Sequence, residues 1–300
     1  MSIDSLLETF QGKMSYVLNK KNIYNQDISD LKSVCLLLGP YRNLTTFTVS
    51  LLFLHPDVQV LNHGGNRVFK INDLNFLKNY SQKKFGNFCK FAVYTSQGGR
   101  KGDYGGSIRY SHAFSKSVMK TTFEDRYGDS YLKDNIDCIV WKESLMVSNY
   151  LRKYNIDFQK LFDTFKKLRF LMPIRNPLDC TISNLRTGHA KRFAGLKKKE
   201  KKDVLEAILK EFSWFLKLYK KFPNKFFYFF QDELNETTFN KMTSFLGIEL
   251  DKKWIKDAFS CVKIKKSYDY EKSFVDDFDR LVDKYFLDFP DFSKHIRKLI

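Results

Sequence analysis

Arg175, Pro177 and Ser183 form the first group of residues whose types and spacing suit a chemical task. Arg175 directly follows the mostly apolar run 168–174. Pro177 suits the first position of a helix because its missing N–H is no loss there. Ser183 follows Arg175 by eight residues, about two helical turns into that helix. A guanidinium fork and a hydroxyl in this arrangement can bind an anion. The segment therefore predicts an anion site where a strand meets a helix.

A second anion site is predicted in the segment 36–58, where the loop 40–44 joins an apolar run to a helical pattern. Arg42 lies in this loop, and Thr45 and Thr46 follow it, with Thr45 able to cap the first turn. Such a junction gathers backbone N–H groups and the positive end of a helix dipole, which suit phosphate. The loop lacks the pattern G-x-x-x-x-G-K-[ST], which argues against an ATP-hydrolysing site.

Strands must alternate with helices to position both segments. Short apolar runs predict strands, and longer stretches with helical spacing predict helices between them. This alternation indicates an α/β protein with a central, mostly parallel sheet flanked by helices on both faces, and ligands in such sheets lie at the carboxyl ends of the strands. The predicted strands are 33–39, 58–62, 138–142, 169–174 and 226–231, and the predicted helices include 144–165 and 204–222.

The Arg175 segment resembles the 3′-phosphate-binding segment of the sulfotransferases that use 3′-phosphoadenosine 5′-phosphosulfate (PAPS). In that family an apolar strand precedes R-x-P, and a Ser follows the Arg by eight residues, as Ser183 does here. The length of 300 residues and the lack of a Pro/Gly/Ser linker predict a single domain over residues 1–300, and the resemblance implies the P-loop nucleoside-triphosphate-hydrolase-like sulfotransferase fold. It also implies a sulfotransferase that transfers a sulfuryl group from PAPS to a hydroxyl or amine by in-line displacement. The acceptor is left open among carbohydrates, lipids, peptides and small molecules.

The loop after the first strand resembles the family's 5′-phosphosulfate loop, K/R-S-G-T-T. Asn43 stands here for Ser and Leu44 for Gly, and glycine is normally used where φ is positive or a ligand comes close. The sequence H-P-D-V at 55–58 is familiar from the tyrosylprotein and bacterial branches of the family. The resemblance implies that the donor is bound by Arg42, Asn43, Leu44, Thr45, Thr46, Arg175 and Ser183.

Sulfuryl transfer needs cations where charge builds on the leaving phosphate, by analogy with phosphoryl transfer. The stretch 138–144 resembles the family's central strand, which ends in a Lys near the transferred group, so Lys142 and Arg42 are predicted on the leaving-group side. The stretch 226–248 resembles the family's late strand and following helix, with a structural role. No metal is expected.

The catalytic base is predicted to be His63, which follows the strand 58–62 and precedes Gly64 and Gly65. Imidazole titrates near neutral pH and is well matched to proton abstraction from an acceptor. His112 is the alternative. Asp179 and Glu143 are less suited as bases, the former because acidic residues in a helix's first turn commonly serve the dipole.

Cytosolic sulfotransferases carry R-K-G-x-x-G near their carboxyl end, and no such motif occurs here after residue 250. The Gly-rich segment 98–107 contains R-K-G-D-Y-G-G but lies in the first third of the chain. It is predicted to be a loop over the acceptor or nucleotide, or a plain surface loop. The basic run 191–202 is predicted to be a solvated charged surface that could also attract an anionic acceptor.

Composition agrees with an anionic ligand. The 52 Lys and Arg residues outnumber the 34 Asp and Glu residues, for a net charge of +18, which attracts anions and also suits a nucleic-acid-binding protein. Nucleic acid is the less favoured partner because no binding module is recognisable, and a kinase of related fold is disfavoured by the missing Walker lysine. Five widely spaced cysteines, an acidic amino terminus and the lack of a long apolar run predict a cytoplasmic protein without a membrane span.

Overall fold

A central sheet of six strands organises the chain. The computed structural model describes residues 3–98, 105–115, 118–196, 200–262 and 268–300. The strands in these ranges are β1 (Ser33–Leu37), β2 (Val58–Asn62), β3 (Gly106–Ser107), β4 (Cys138–Lys142), β5 (Leu168–Ile174) and β6 (Phe226–Phe230). Their order across the sheet is β3-β2-β4-β1-β5-β6. Every neighbouring pair is parallel except β2 and β3, which are antiparallel.

Helices connect the strands and pack against the sheet. Short 3₁₀ turns occur at Ile108–Tyr110, His112–Phe114, His189–Arg192 and Gln231–Glu233. The α-helices in the described ranges are α1 (Ile3–Leu18), α2 (Lys20–Tyr24), α3 (Thr45–Phe53), α4 (Gly65–Lys70), α5 (Phe76–Asn79), α6 (Gln82–Ser96), α7 (Val118–Tyr127), α8 (Leu145–Lys153), α9 (Phe158–Thr164), α10 (Pro177–Arg186), α11 (Lys201–Lys221), α12 (Glu236–Leu246), α13 (Lys252–Ser260), α14 (Lys272–Tyr285) and α15 (Pro290–Lys298).

Both faces of the sheet are buried, as β1 demonstrates. Successive side chains of a strand point to opposite faces. Val34 and Leu36 belong to one cluster of buried apolar residues, whereas Cys35 and Leu37 belong to another. All five residues of β1 are buried. The predicted α/β class, with a mostly parallel sheet covered on both faces, is therefore confirmed.

The order of the strands creates a crevice between β1 and β5. The chain leaves β1 through α3 towards β2 on one side of β1, and it leaves β5 through α10 and α11 towards β6 on the other side. Ligands of open α/β sheets bind outside the carboxyl ends of the strands at such a reversal. The two predicted anion-binding segments follow β1 and β5, so the topology brings them to the same place.

Two local predictions were wrong. The predicted helix 144–165 is broken into α8 and α9, because Asn155 adopts a left-handed φ of 45° and the Asp157 side chain caps α9 by accepting a hydrogen bond from the N–H of Lys160 at 3.1 Å. Thr45 does not cap α3, since it is the first helical residue and Leu44 occupies the N-cap position. The single domain over residues 1–300 stays a prediction. No helix among the described residues is long and apolar enough to cross a bilayer.

Candidate active site

A cavity of about 420 Å³ opens at the carboxyl ends of β1, β2, β4 and β5. Most of the residues predicted for the site line it, together with the alternative base His112 and with Glu143. Asn43 and Ser183 do not line it, although both contact residues that do. The lining residues from the prediction are Arg42, Leu44, Thr45, Thr46, His63, Lys142 and Arg175.

The loop before α3 contains two residues in the left-handed backbone region, which glycine adopts most readily. Arg42 and Leu44 have φ values of 63° and 59°, in the left-handed region. Holding a non-glycine residue there costs roughly 1–2 kcal/mol. Leu44, where the loop pattern that the sequence resembles has Gly, therefore adopts a conformation for which Gly is suited. No side chain caps the first turn of α3, so its backbone N–H groups remain available to an anion in the cavity.

Asn43 joins the two anion-binding segments to each other. Its side chain is completely buried, its Nδ2 donates to the carbonyl of Pro173, and its Oδ1 accepts from the backbone N–H of Arg175 at 2.9 Å. The amide thus fixes the loop after β1 against the end of β5. A side chain engaged in this way has no atom left to face the cavity, so its position favours a structural role over direct contact with a donor.

Arg175 is held at the end of β5 by contacts with its own helix and with the neighbouring loop. One guanidinium nitrogen lies 3.4 Å from Oδ2 of Asp179, and another donates to the carbonyl of Arg42 at 3.2 Å. The helix α10 begins at Pro177, as predicted, and the side chain of Asn176 accepts hydrogen bonds from the N–H groups of its first turn. These contacts orient the guanidinium at the edge of the cavity.

Ser183 lies two turns into α10 and meets the loop rather than Arg175. Its Oγ accepts a hydrogen bond from Nε of Arg42 at 2.9 Å. The serine hydroxyl is thereby brought to the same cation that is predicted to bind the 5′ end of the donor. Its predicted contact with a 3′-phosphate stays a prediction.

His63 and Lys142 are brought together because β2 and β4 are parallel neighbours. Asn62 is paired with Lys142 in the register, and Nζ of Lys142 lies 3.3 Å from Nε2 of His63. The His63 backbone is fixed on both sides, since its N–H donates to the carbonyl of Lys142 at 3.0 Å and its carbonyl accepts from Nε1 of Trp141 at 2.8 Å. The ring is 30% exposed, so it can be reached from the cavity.

Glu143 lies next to His63, on the Nδ1 side of its ring. Its Oε1 lies 4.0 Å from Nδ1 of His63, and its Oε2 accepts from the N–H of Gly65 at 2.8 Å. A Cβ on Gly65 would come within 2.9 Å of the Glu143 side chain, so the second glycine of the pair is needed for this close approach. The carboxylate is almost fully buried, and the geometry suits it to orient His63.

Burial lowers the pKa of Lys142 to about 8, with Glu143 opposing the change and Arg42 adding to it. Because this pKa is close to neutral pH, part of Lys142 is uncharged in the empty cavity. An anion that enters the cavity raises the pKa of Lys142, because a negative charge nearby favours the charged form. The site therefore contains a cation whose charge can be controlled by pH and by ligand.

Sequence reasoning missed His189, which lines the cavity from the turn after α10 together with Arg192. Its position fourteen residues after Arg175, beyond the end of the same helix, was the available signal. Burial and the cations Arg42, Arg192 and Lys142 lower its pKa. Residues 99–104 of the Gly-rich segment and residues 197–199 of the basic run lie outside the described residues.

No cluster of His, Cys, Asp and Glu suited to a metal occurs among the described residues.

No model of a protein family matches the chain, and no curated protein matches it. The solved structures that are similar to it include two with a TM-score of 0.41 each. One is mouse sulfotransferase SULT7A1 complexed with PAP, at 13% identity over 91% of this chain and 89% of that one. The other is a sulfotransferase from Alicyclobacillus acidocaldarius, at 14% identity over 86% and 94%.

Proposed function

We propose that this protein is a sulfotransferase that moves a sulfuryl group from PAPS to a hydroxyl or amine of an acceptor. One observation carries the proposal: a single cavity collects Arg42, Arg175 and the uncapped start of α3 together with the neighbouring pair His63 and Lys142. The first group suits the two phosphate ends of the donor, and the pair suits the transfer itself.

The proposed reaction is an in-line displacement at sulfur. The acceptor oxygen or nitrogen forms a bond to sulfur while the bond from sulfur to the 5′-phosphate oxygen breaks, which leaves adenosine 3′,5′-bisphosphate (PAP). Nε2 of His63 takes the acceptor proton. Lys142 and Arg42 stabilise the negative charge that builds on the departing phosphate. No other reactant is needed.

The contact between Lys142 and His63 implies that the donor must bind before His63 can act as a base. A charged Lys142 donates its proton towards Nε2 of His63, at 3.3 Å, which occupies the lone pair that a base needs. A bound phosphosulfate would draw the ammonium to itself and free Nε2 for the acceptor. The proposed base is thus engaged until the donor is present.

The state of Lys142 predicts how the rate depends on pH. Since its pKa in the empty site is about 8, kcat/KM is expected to fall as pH rises through about 8, approaching about tenfold per pH unit. The bound donor favours the ammonium, so kcat should begin to fall only at higher pH. Rate profiles from pH 6 to 10 measure both limbs. Lys142→Met should show a weaker fall in kcat/KM than the wild-type protein, and a flat wild-type profile across this range would contradict the assigned role.

Ligand-dependent stability tests the proposed donor. PAP at about 100 times its dissociation constant should raise the free energy of unfolding by about 2.7 kcal/mol, because it binds only the folded chain. ATP at the same concentration should raise it much less. Thermal or denaturant unfolding with each nucleotide measures the difference, and equal stabilisation by PAP and ATP would reject the specific claim.

Incubation with labelled PAPS and an extract of the protein's own cell would then identify the acceptor. Transfer of label to a protein, a carbohydrate, a lipid or a small molecule distinguishes the acceptor classes. Absence of any labelled product, with PAP bound tightly, would leave a nucleotide-binding protein without the proposed reaction.

A further inference from the structure

His189 lines the cavity, and the proposed mechanism does not use it. It begins the turn His189–Arg192, which follows α10 through Thr187 and Gly188, and its ring lies 5.3 Å from the ring of Tyr41. The side chain is half-buried and lines the cavity. It therefore faces the space in which the donor is proposed to bind.

Hydrogen bonds determine which ring nitrogen of His189 carries the proton. The hydroxyl of Thr187 donates its only hydrogen to the carbonyl of Ser183, at 2.7 Å. Towards Nδ1 of His189, at 2.6 Å, the same hydroxyl can only accept. Nδ1 must then carry a hydrogen, and the lone pair of a neutral ring is on Nε2. No hydrogen bond joins Nε2 to any residue within the described ranges.

The same helix end holds Arg42, because Oγ of Ser183 accepts from Nε of that arginine at 2.9 Å. His189 and Arg42 are thus tied to one rigid segment, through the carbonyl and the hydroxyl of a single serine. An anion that reaches Arg42 would also be near His189. The tie favours an anion on the donor's 5′ side, since Arg42 belongs to the loop before α3.

The charged groups around His189 are cations from three elements. Arg42 comes from the loop after β1, Lys142 from the end of β4, and Lys191 and Arg192 from the histidine's own turn. Partial burial acts first and these cations act with it to lower the pKa of His189, which favours a neutral ring in the empty cavity. Glu143 also lines the cavity, but its oxygens face Gly65 and His63. A bound anion would reverse the balance of charge.

We propose that His189 is a ligand of the donor's 5′-phosphate end and takes up one proton from solvent when the nucleotide binds. Nδ1–H remains bonded to Thr187, while Nε2 gains a hydrogen and donates it to an oxygen of the anion. The proton returns to solvent when the nucleotide leaves. This inference rests on the proposed function and adds a residue to its donor site.

Proton uptake on binding PAP tests the assignment. Calorimetric titration in two buffers with different ionisation enthalpies gives the number of protons taken up per nucleotide bound. The wild-type protein should take up a fraction of a proton near pH 7.5, and its affinity should fall by up to about tenfold per pH unit above that. Lys142 also takes up a proton when the anion binds, so His189→Gln should lower the uptake to the part that Lys142 contributes and make the affinity profile less steep.

Two further variants separate the outcomes. His112→Gln removes the cavity histidine that lies outside this chain of hydrogen bonds and should keep the wild-type uptake. Thr187→Val keeps the imidazole but removes the acceptor of Nδ1–H, and it should reduce the uptake even if His189→Gln folds poorly. Undiminished uptake in His189→Gln and Thr187→Val would overturn the inference while the proposed function stands. Failure of the wild-type protein to bind PAP would overturn the proposed function, and the inference with it.

Discussion

Replacing His63 by Asn is expected to lower the rate of sulfuryl transfer by about 10²–10⁴-fold, the usual contribution of a positioned general base. Binding of PAP should remain near the wild-type value, because the proposed nucleotide contacts come from the loop after β1, the end of β4, α10 and the turn after it, and none is made by His63 itself. Asn has no group that can take a proton from an acceptor at neutral pH. The change therefore removes the base and leaves the donor site.

Asn is the substitution that the backbone tolerates best. His63 has a φ of 62°, and Asn visits this left-handed region more readily than other residues with a side chain. The hydrogen bonds that fix the position are made by backbone atoms of His63, to the Trp141 indole and to the carbonyl of Lys142. They survive the substitution. An effect on rate can then be assigned to the lost imidazole and not to a displaced strand end.

Transfer of label from PAPS to the acceptor found in the cell extract measures the rate, and calorimetric titration with PAP measures binding. His112→Asn is the matched control, because His112 lines the same cavity but has no contact with Lys142 like that of His63. Its loss should cost far less. Wild-type turnover in His63→Asn would remove His63 as the base, and a collapse confined to His112→Asn would transfer that role to His112.

Five of the six strands in the described ranges were predictable because each is a short, mostly apolar run between polar loops, whereas β3 (Gly106–Ser107) lies in a segment that was predicted to be a loop. In a sheet buried on both faces nearly every residue of a strand is apolar, as in β1, so the run itself marks the strand. The segments after β1 and β5 were recognisable for the same reason, since the residues that suit an anion come directly after a predicted strand.

The contact between His63 and Lys142 could not be predicted from the sequence. Both were singled out as residues at strand ends, but β4 enters the sheet between β1 and β2, and nothing in the order of the chain specifies that insertion. The orienting contact of Glu143 follows from the same register, so the sequence offered it only as a weaker base. His189 reaches the cavity through a turn whose course depends on tertiary packing.

Leu44 illustrates a different limit. Leucine rarely adopts a left-handed backbone, so the sequence did not predict the φ of 59° that Leu44 has in the structure. The bonds of Asn43 to the end of β5 hold the loop beside Leu44, which offsets the local strain. A loop can thus hold a left-handed conformation without the glycine that adopts it most readily.

Replacing Arg175 by Ala is expected to weaken binding of PAP by roughly 10–150-fold, the equivalent of the about 1.5–3 kcal/mol typical of a hydrogen bond to a charged group. Binding of adenosine 5′-phosphate, which lacks the 3′-phosphate, should hardly change. The guanidinium lies at the cavity edge and is already oriented by Asp179 and by the carbonyl of Arg42, so little ordering is needed when the ligand arrives.

The variant should still fold, because Asp179 keeps two other stabilising interactions. The hydroxyl of Tyr270 donates a hydrogen bond to it at 2.7 Å, and its charge lies near the positive end of the α10 dipole. Thermal unfolding checks this. Arg186→Ala is the matched control, since Arg186 lies on the same helix and donates to the hydroxyl of Tyr268 without lining the cavity. It should bind both nucleotides normally.

The ratio of the two affinities isolates the 3′-phosphate. PAP and adenosine 5′-phosphate share the base, the ribose and the 5′-phosphate, so any general distortion of the site lowers both affinities and cancels in the ratio. A ratio that falls to near one in Arg175→Ala would mean that the arginine reads the group that distinguishes PAP. An equal loss for both nucleotides would move Arg175 to the 5′ side, beside Arg42, and an unchanged affinity for both would exclude it from the donor site.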